Sequence, residues 1–244
     1  MKNGILLSGG SGTRLQPYTL HYSKHMIPVN GKFIIDYSLN TLKEIGCENI
    51  TVVLGGNHFS QVVDHLKDGS DHGVNINFVY QKAPLGIAHA INLCRRYVQE
   101  EDRFAVVLGD NIFENPIKLN GVCGAQIVLD EDKCNQEDLK RFGVASFTKM
   151  GEFLRIDEKP QTFIPNTFNY PITGCYQFDQ MYFELFHNLN PSARGEFEIV
   201  DIIQQYISLG ELDFSWYRNA LWSDAGTHAS LNYVNNYFYN KGKK

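Results

Sequence analysis

The stretch Gly4-Ile5-Leu6-Leu7-Ser8-Gly9-Gly10-Ser11-Gly12-Thr13-Arg14-Leu15 decides the fold. Its first five residues read as a buried strand, and that strand runs without a break into a glycine loop. The loop is not a P-loop, because no G-K-[ST] closes it. It is not a dinucleotide fingerprint either, because Leu15 stands where the third glycine of Gly10-x-Gly12-x-x-G would be. What it offers is main chain free of β-carbons, whose amides can approach a base, ribose or phosphate. Two residues after Gly12, Arg14 adds a guanidinium whose fixed fork of donors suits a phosphate. The structural alternative is a tight turn with a surface arginine.

Outward from this stretch, β-branched runs alternate with amphipathic segments, which is the pattern of an α/β fold with a mainly parallel sheet. The spacing of Ile35, Leu39 and Leu42 predicts a helix over 34–45 that closes at Gly46. Strands are predicted over 50–54 and 74–80, then a helix over 86–98 and a strand over 104–108 that stops at Gly109-Asp110-Asn111. In doubly wound sheets ligands sit beyond the carboxyl ends of the strands, so the glycine loop and this Asp-Asn end belong to one crevice. The second half is less regular, with strand-like pieces at 125–129, 143–147, 153–157 and 172–178. Ile199, Ile202, Ile203, Tyr206 and Ile207 form a helical stripe that ends before Gly210. A last helical segment, 227–239, follows the loop Trp222-Ser223-Asp224-Ala225-Gly226. The expectation is an αβα sandwich with substrate-binding strands inserted in the later half.

Composition limits the function. The chain of 244 residues carries 22 Lys+Arg against 27 Asp+Glu, a net charge of −5 that gives no electrostatic footprint for nucleic acid or an anionic membrane. With 43% hydrophobic residues there is enough apolar material for one sizeable domain. The opening residues lack the apolar core of a signal peptide and no run is long enough to span a membrane, so a cytoplasmic location is expected. Five scattered cysteines, Cys47, Cys94, Cys123, Cys134 and Cys175, include no C-x-x-C pair, which favours thiols over a disulfide frame or zinc site. His58, His65 and His72 recur at sevens, but Gly69, Ser70 and Gly73 break any helix that would align them as ligands.

Several polar residues then stand out. Lys24, before the apolar run Met26-Ile27-Pro28-Val29, could bring a mobile point charge to a polyphosphate. Asp110 at a strand end and Asp224 in a glycine-flanked loop are of the kind magnesium on a nucleotide uses, since it keeps waters and takes other ligands from phosphate. The alternatives are a turn former and a helix cap. Asp130-Glu131-Asp132 has the D-x-D form of a glycosyltransferase metal motif, but its polar surroundings favour a solvated acidic loop. Glu158-Lys159-Pro160 could meet sugar hydroxyls and a phosphate, or be a charged turn. Glu196 and Glu198 could simply favour the positive end of the helix that follows.

Taken in order, the chain resembles the sugar nucleotidyltransferases, most closely the short form of the glucose-1-phosphate thymidylyltransferase family. The resemblance is carried by Gly9–Leu15, Ser23-Lys24-His25-Met26-Ile27-Pro28-Val29, Leu108-Gly109-Asp110-Asn111-Ile112-Phe113, Arg141-Phe142-Gly143-Val144-Ala145, Glu158-Lys159-Pro160 and Thr173-Gly174-Cys175-Tyr176. Two further blocks, Pro191-Ser192-Ala193-Arg194-Gly195-Glu196-Phe197-Glu198-Ile199 and Trp222-Ser223-Asp224-Ala225-Gly226-Thr227-His228, point to this branch. It implies a Rossmann-like αβα sandwich with a mixed, mainly parallel sheet and inserted sugar-binding strands. The single domain would divide into a nucleotide half (1–112), a sugar-phosphate half (113–228) and a C-terminal helix and tail (229–244).

The activity implied is attack of a sugar 1-phosphate oxygen on the α-phosphorus of a nucleoside triphosphate, releasing pyrophosphate. By resemblance, Arg14, Lys24 and Asp110 are catalytic, and Asp110 and Asp224 hold Mg²⁺. Gly9, Gly10, Gly12, Thr13, Arg14, Gln81, Pro84 and Gly86 would contact the nucleotide. Asn111, Gly143, Glu158, Lys159, Thr173 and Gly174 would contact the sugar phosphate. Relatives imply a homo-oligomer, dimer or tetramer, and the helical extension of longer members would be absent or vestigial. Departures are Ser8 for a usual alanine, Lys32-Phe33 for Lys-Pro, Leu85 and His89 on the base side, and Val200 for a usual threonine. Uridylyl-, cytidylyl- and guanylyltransferases share similar base-side runs, which leaves the base open; a glycosyltransferase using Asp130-Glu131-Asp132 and a nucleotide-sugar sensor are the other classes considered.

Overall fold

Strand β1 (Asn3–Ser8) is buried along its whole length. Its side chains alternate between two cores, with Ile5 and Leu7 in one and Leu6 in the other. A strand covered on both faces reads as a continuous apolar run rather than an alternating one. In this computed structural model, which describes residues 2–100, 102–120, 124–132 and 135–242, β1 lies between two parallel neighbours.

The chain continues through the ribbon β2 (Pro28–Val29) and β3 (Lys32–Phe33), then α1 (Ile34–Ile45), β4 (Asn49–Leu54), α2 (Phe59–Leu66), β5 (Asn75–Tyr80), α3 (Ile87–Asn92), α4 (Arg95–Val98) and β6 (Arg103–Leu108). The second half adds β7 (Asn111–Phe113), β8 (Ala125–Asp130), α5 (Gln136–Leu139), β9 (Gly143–Phe147), β10 (Phe153–Glu158) and β11 (Phe168–Asp179). It closes with α6 (Met181–Phe186), α7 (Ile199–Leu209), β12 (Leu212–Tyr217), β13 (Trp222–Asp224) and α8 (His228–Lys241).

The main sheet has the order β10-β9-β11-β6-β1-β4-β5, with β8 also paired to β11 and β12 to β8. β6, β1, β4 and β5 run parallel, and β11 joins β6 antiparallel. From β1 the chain moves outward to β4 and β5, then returns to the opposite side of β1 as β6. This reversal opens a crevice beyond the carboxyl ends of β1 and β6, where the glycine loop and Asp110 emerge.

Helix α1 starts where the Asp36 carboxylate accepts a hydrogen bond from the Phe33 amide at 2.9 Å and ends at Gly46. From its buried face Ser38 Oγ lies 3.0 Å from Leu108 O and 2.8 Å from Asn111 O, bracing the turn that carries Asp110. Helix α8 starts at Thr227, whose Oγ1 accepts from the Ser230 amide while Ser230 Oγ accepts from the Thr227 amide. It packs Leu231 and Val234 against Leu15, Ile34 and Ile112, tying the C-terminal segment to the first half.

Beyond the strands β7 and β12, which the sequence reading does not contain, the structure differs from it in four places. The helix expected over 86–98 is two short helices, because Cys94 N donates to Ile91 O and Tyr97 N to Cys94 O, tightening the chain between them. Its stripe still buries Ile91, Cys94 and Val98, so periodicity reported burial rather than continuity. The strand expected over 172–178 extends to Phe168–Asp179, pairing first with β9 and then with β6 and β8. Three of the five residues of the expected loop at 222–226 are β13, antiparallel to β7 with Asp224 opposite Asn111. Fourth, Asp130 of the acidic run is buried at the end of β8 rather than solvated.

Cys47, Cys94 and Cys175 are buried thiols, while Cys123, Cys134 and the last two lysines lie outside the described residues. Among the described residues no helix is long and apolar enough to cross a membrane.

Candidate active site

The glycine loop leaves β1 and turns over Lys24. Lys24 Nζ reaches Asp110 Oδ2 at 2.6 Å across the crevice, with both side chains largely enclosed. A Cβ on Gly10 would sit 3.8 Å from the same ammonium, so the loop backbone passes directly beside the charge. Beneath the pair lies His25, fully buried, with Nδ1 3.1 Å from Ser8 Oγ and 3.3 Å from Ser23 Oγ. Burial, reinforced by the Lys24 ammonium and opposed by Asp110, pushes the His25 imidazole down to about 3, so it supports the site as a neutral ring. Burial works against a charged Asp110, but the Lys24 ammonium and the hydrogen bonds from Lys24 and Asn111 outweigh it and hold the carboxyl well below the usual range.

Asp224 arrives on the neighbouring strand. Ala225 N donates to Asp110 O at 2.7 Å, which sets the two aspartates side by side on adjacent backbones. Arg141 Nη2 donates to Asp224 Oδ2 at 2.7 Å. Arg14 closes the ring, since a Cβ on Gly226 would lie 3.2 Å from Arg14 Nη2 and 3.5 Å from Asp224 Oδ2. Thr13 and Arg14 occupy a short turn that begins at Gly12, whose carbonyl accepts from Thr19 Oγ1 at 2.8 Å.

Next to Asp110, Asn111 is a knot. Its Oδ1 accepts from Gly174 N at 3.0 Å and Trp222 Nε1 at 2.7 Å, and its Nδ2 donates to Asp110 Oδ1 at 3.0 Å. Asn111 is buried, and its amide fixes the direction of the Asp110 carboxylate. Gly174 has no room for a side chain, because a Cβ there would meet the Asn111 amide at 2.6 Å. Thr173 is likewise buried. Gly143 passes close to Val200 and Ile172, and a Cβ on it would lie 3.5 Å from Glu158 Oε2. Glu158 Oε1 is 3.0 Å from Lys159 Nζ and 3.5 Å from Arg194 Nη2. Arg194 also binds Glu198 at 2.8 Å, making a compact charged group beside Gly143.

On the other flank of the glycine loop, Gln81 follows β5, and a Cβ on Gly9 would stand 3.5 Å from its Oε1. Gly55 and Gly56, at the end of β4, pack on this loop: a Cβ on Gly56 would lie 2.6 Å from Gly10 O. Gly86 adopts φ 96 with the Phe197 backbone 2.5 Å from where its Cβ would be, so no other residue fits. Phe197 N donates to Leu85 O and Ala88 N to Phe197 O, joining the segment after β5 to the loop that carries Arg194. Pro84 lies exposed on the rim.

Sequence reasoning gave no role to His25, Arg141, His89, Gly55 or Gly56. The glycine pair had a signal, since it ends β4 as Gly9-Gly10 ends β1. The others are ordinary residue types; Arg141 meets Asp224 from 83 positions away, and the nearer partners of His25 and His89 follow no periodic pattern. The remaining candidates lie elsewhere: Asp130 Oδ1 accepts from Asp132 N, Asp132 Oδ2 from Asn219 N, and Glu131 pairs with Arg218 at 2.7 Å. These carboxylates hold the end of β8 to the turn after β12. His65 Nε2 lies 2.6 Å from Asp36 Oδ1 and its ring meets His72 edge-on.

Among the described residues no group of three or more His, Cys, Asp or Glu could hold a metal by itself. The carboxylates of Asp110 and Asp224, carried on hydrogen-bonded backbones, are hard oxygen donors of the kind that fits a magnesium ion arriving with phosphate ligands, not a preformed cage.

A family model described as nucleotidyl transferase matches residues 3–241. The low-salt glycan biosynthesis nucleotidyltransferase Agl11 of Haloferax volcanii is 38% identical over 91% of this chain, which spans 62% of that protein's length. Glucose-1-phosphate thymidylyltransferase of Neisseria meningitidis is 37% identical over 93% of this chain and 79% of its own. A crystal structure from Bacillus anthracis, provisionally named a glucose-1-phosphate thymidylyltransferase and holding sucrose, superposes with TM-score 0.85 at 36% identity, covering 97% of this chain and 95% of the other.

Proposed function

Because the chain belongs to the nucleotidyl transferase family, we propose that it joins a nucleoside triphosphate, dTTP, to a sugar 1-phosphate, glucose 1-phosphate, and releases pyrophosphate. The observation that carries this reading is the convergence of Lys24, Asp110, Asp224 and Arg14 around the glycine loop at the switch point of the sheet. Phosphoryl transfer of this kind needs no nucleophilic side chain. It needs two anions held in line and their charge neutralised as the new bond forms.

Gly9, Gly10 and Gly12 let the triphosphate lie against main-chain amides, with Gln81 and Gly86 at the base. Lys24 and Arg14 face the triphosphate from opposite sides of the loop and take up the negative charge that develops on the α-phosphoryl oxygens. Glu158 suits sugar hydroxyls, and Lys159 and Arg194 suit the sugar phosphate. Asp110 and Asp224 would hold Mg²⁺, which when bound supplies charge neutralisation and orientation of the phosphates. Asn111 fixes the direction of Asp110 from below. The carboxylates of Asp130 and Asp132 are engaged by backbone amides, which gives the glycosyltransferase reading no support.

The test is pyrophosphate release by purified protein with dTTP, glucose 1-phosphate and Mg²⁺. Turnover is expected; its absence across a panel of triphosphates and sugar 1-phosphates overturns the reading.

A further inference from the structure

The amide of Gln81 is held by two partners on its nitrogen side. Nε2 lies 3.2 Å from Gly86 O and 3.0 Å from His89 Nδ1. A carbonyl oxygen only accepts, so Gly86 fixes which end of the amide is nitrogen. The second amide hydrogen then goes to His89 Nδ1, which must be the unprotonated nitrogen of a neutral ring. Burial lowers the His89 imidazole from its ordinary value, consistent with that form. The ring is held in place by Phe197, stacked at 6.2 Å between centroids, and by Phe186 at 6.5 Å.

Both hydrogens of the amide are therefore consumed. What Gln81 has left to present is Oε1 alone, beside the glycine loop at 3.5 Å from where a Cβ on Gly9 would stand, and among the described residues no hydrogen bond reaches that oxygen. An acceptor fixed in this way attracts a base edge that carries an N–H and repels one that presents a bare ring nitrogen.

We propose that His89 is a positioning residue that locks Gln81 as an acceptor, so that the site selects a pyrimidine with an imide N–H, thymine or uracil, over cytosine. The inference rests on the nucleotide-binding reading above and deepens it to a class of base. A site that pairs a buried polar group with one edge rejects the mismatched edge strongly, because the mismatch leaves its own acceptor facing another lone pair.

The experiment compares dTTP, UTP and CTP with wild type, His89→Leu and His89→Asn, by pyrophosphate release and by calorimetric binding, with thermal melts as the folding check. Wild type is expected to favour dTTP and UTP over CTP by about 100-fold in kcat/KM. His89→Leu frees the amide, so that ratio falls about tenfold, mainly through the nucleotide KM with kcat at saturation changed far less. His89→Asn places a carbonyl oxygen near the lost ring nitrogen and restores the ratio. Equal use of CTP by wild type overturns the proposal, as does undiminished discrimination by a folded His89→Leu. If nothing turns over, calorimetry still decides: tighter binding of dTTP than CTP supports the lock while the transferase reading fails, and binding without preference, or no binding, overturns both.

Discussion

Lys24 and Asp110, 86 positions apart in the chain, meet at 2.6 Å at the carboxyl ends of β1 and β6. The pair is enclosed, and neither charge has another opposite charge within ion-pair distance among the described residues. Lys24→Met should lower kcat at least 100-fold by removing a cation from the triphosphate. It should also cost about 3 kcal/mol of stability, because Asp110 is left buried without its counter-ion. Pyrophosphate release and urea unfolding measure the two effects. Near-normal turnover would remove Lys24 from the mechanism.

Asp224 behaves differently, because its partner Arg141 is a third exposed. Asp224→Asn should change stability by no more than about 1 kcal/mol, yet reduce Mg²⁺-dependent turnover at least 100-fold. A magnesium titration of rate beside a thermal melt separates them. A proportionate loss of both would make Asp224 a structural residue.

Gly174→Ala places a methyl group 2.6 Å from the Asn111 amide in a site with no spare space. The expected cost is about 2–3 kcal/mol, together with a fall in kcat, since Asn111 orients Asp110. Unchanged melting and rate would show that the Asn111 knot yields easily.

Glu114 anchors helix α8: its carboxylate accepts from Leu221 N at 2.8 Å, Tyr237 Oη at 2.6 Å and Lys241 Nζ. Burial works to raise its pKa, but these hydrogen bonds outweigh it and the folded value lies below the ordinary 4.5. The unfolded chain therefore binds this proton first as pH falls. The stabilisation is complete well above 4.5 and fades as pH drops through the folded value. Glu114→Gln should lose about 1–2 kcal/mol at neutral pH, and the gap to wild type should close on acidification. Melting curves across pH check this; a gap constant from pH 7 to 3 would contradict it.

Local pattern was enough to read β1, α1, β4, β6 and α7, because each buries a continuous run or a 3.6-residue stripe whose ends are marked by glycine. It failed for β7, β12 and β13. Three-residue ribbons and half-buried edges have too little periodicity to announce themselves, and they form because a neighbour already stands beside them. The same division runs through the site. Gly9, Gly10, Arg14, Lys24, Asp110 and Asp224 stood out as loop chemistry and by resemblance, whereas the hydrogen bonds that tie Asn111 to Gly174 and Trp222 join residues 63 and 111 positions apart and left no local trace.

The sequence by itself determined the alternation of strands and helices, the glycine loop after β1 and the charged residues at strand ends, since these depend on neighbours a few positions away. Only the tertiary structure decided which charges meet. Asp110 faces Lys24 and Asp224 faces Arg141, because sheet order and the β7–β13 ribbon bring together backbones whose separation in the chain carries no such information.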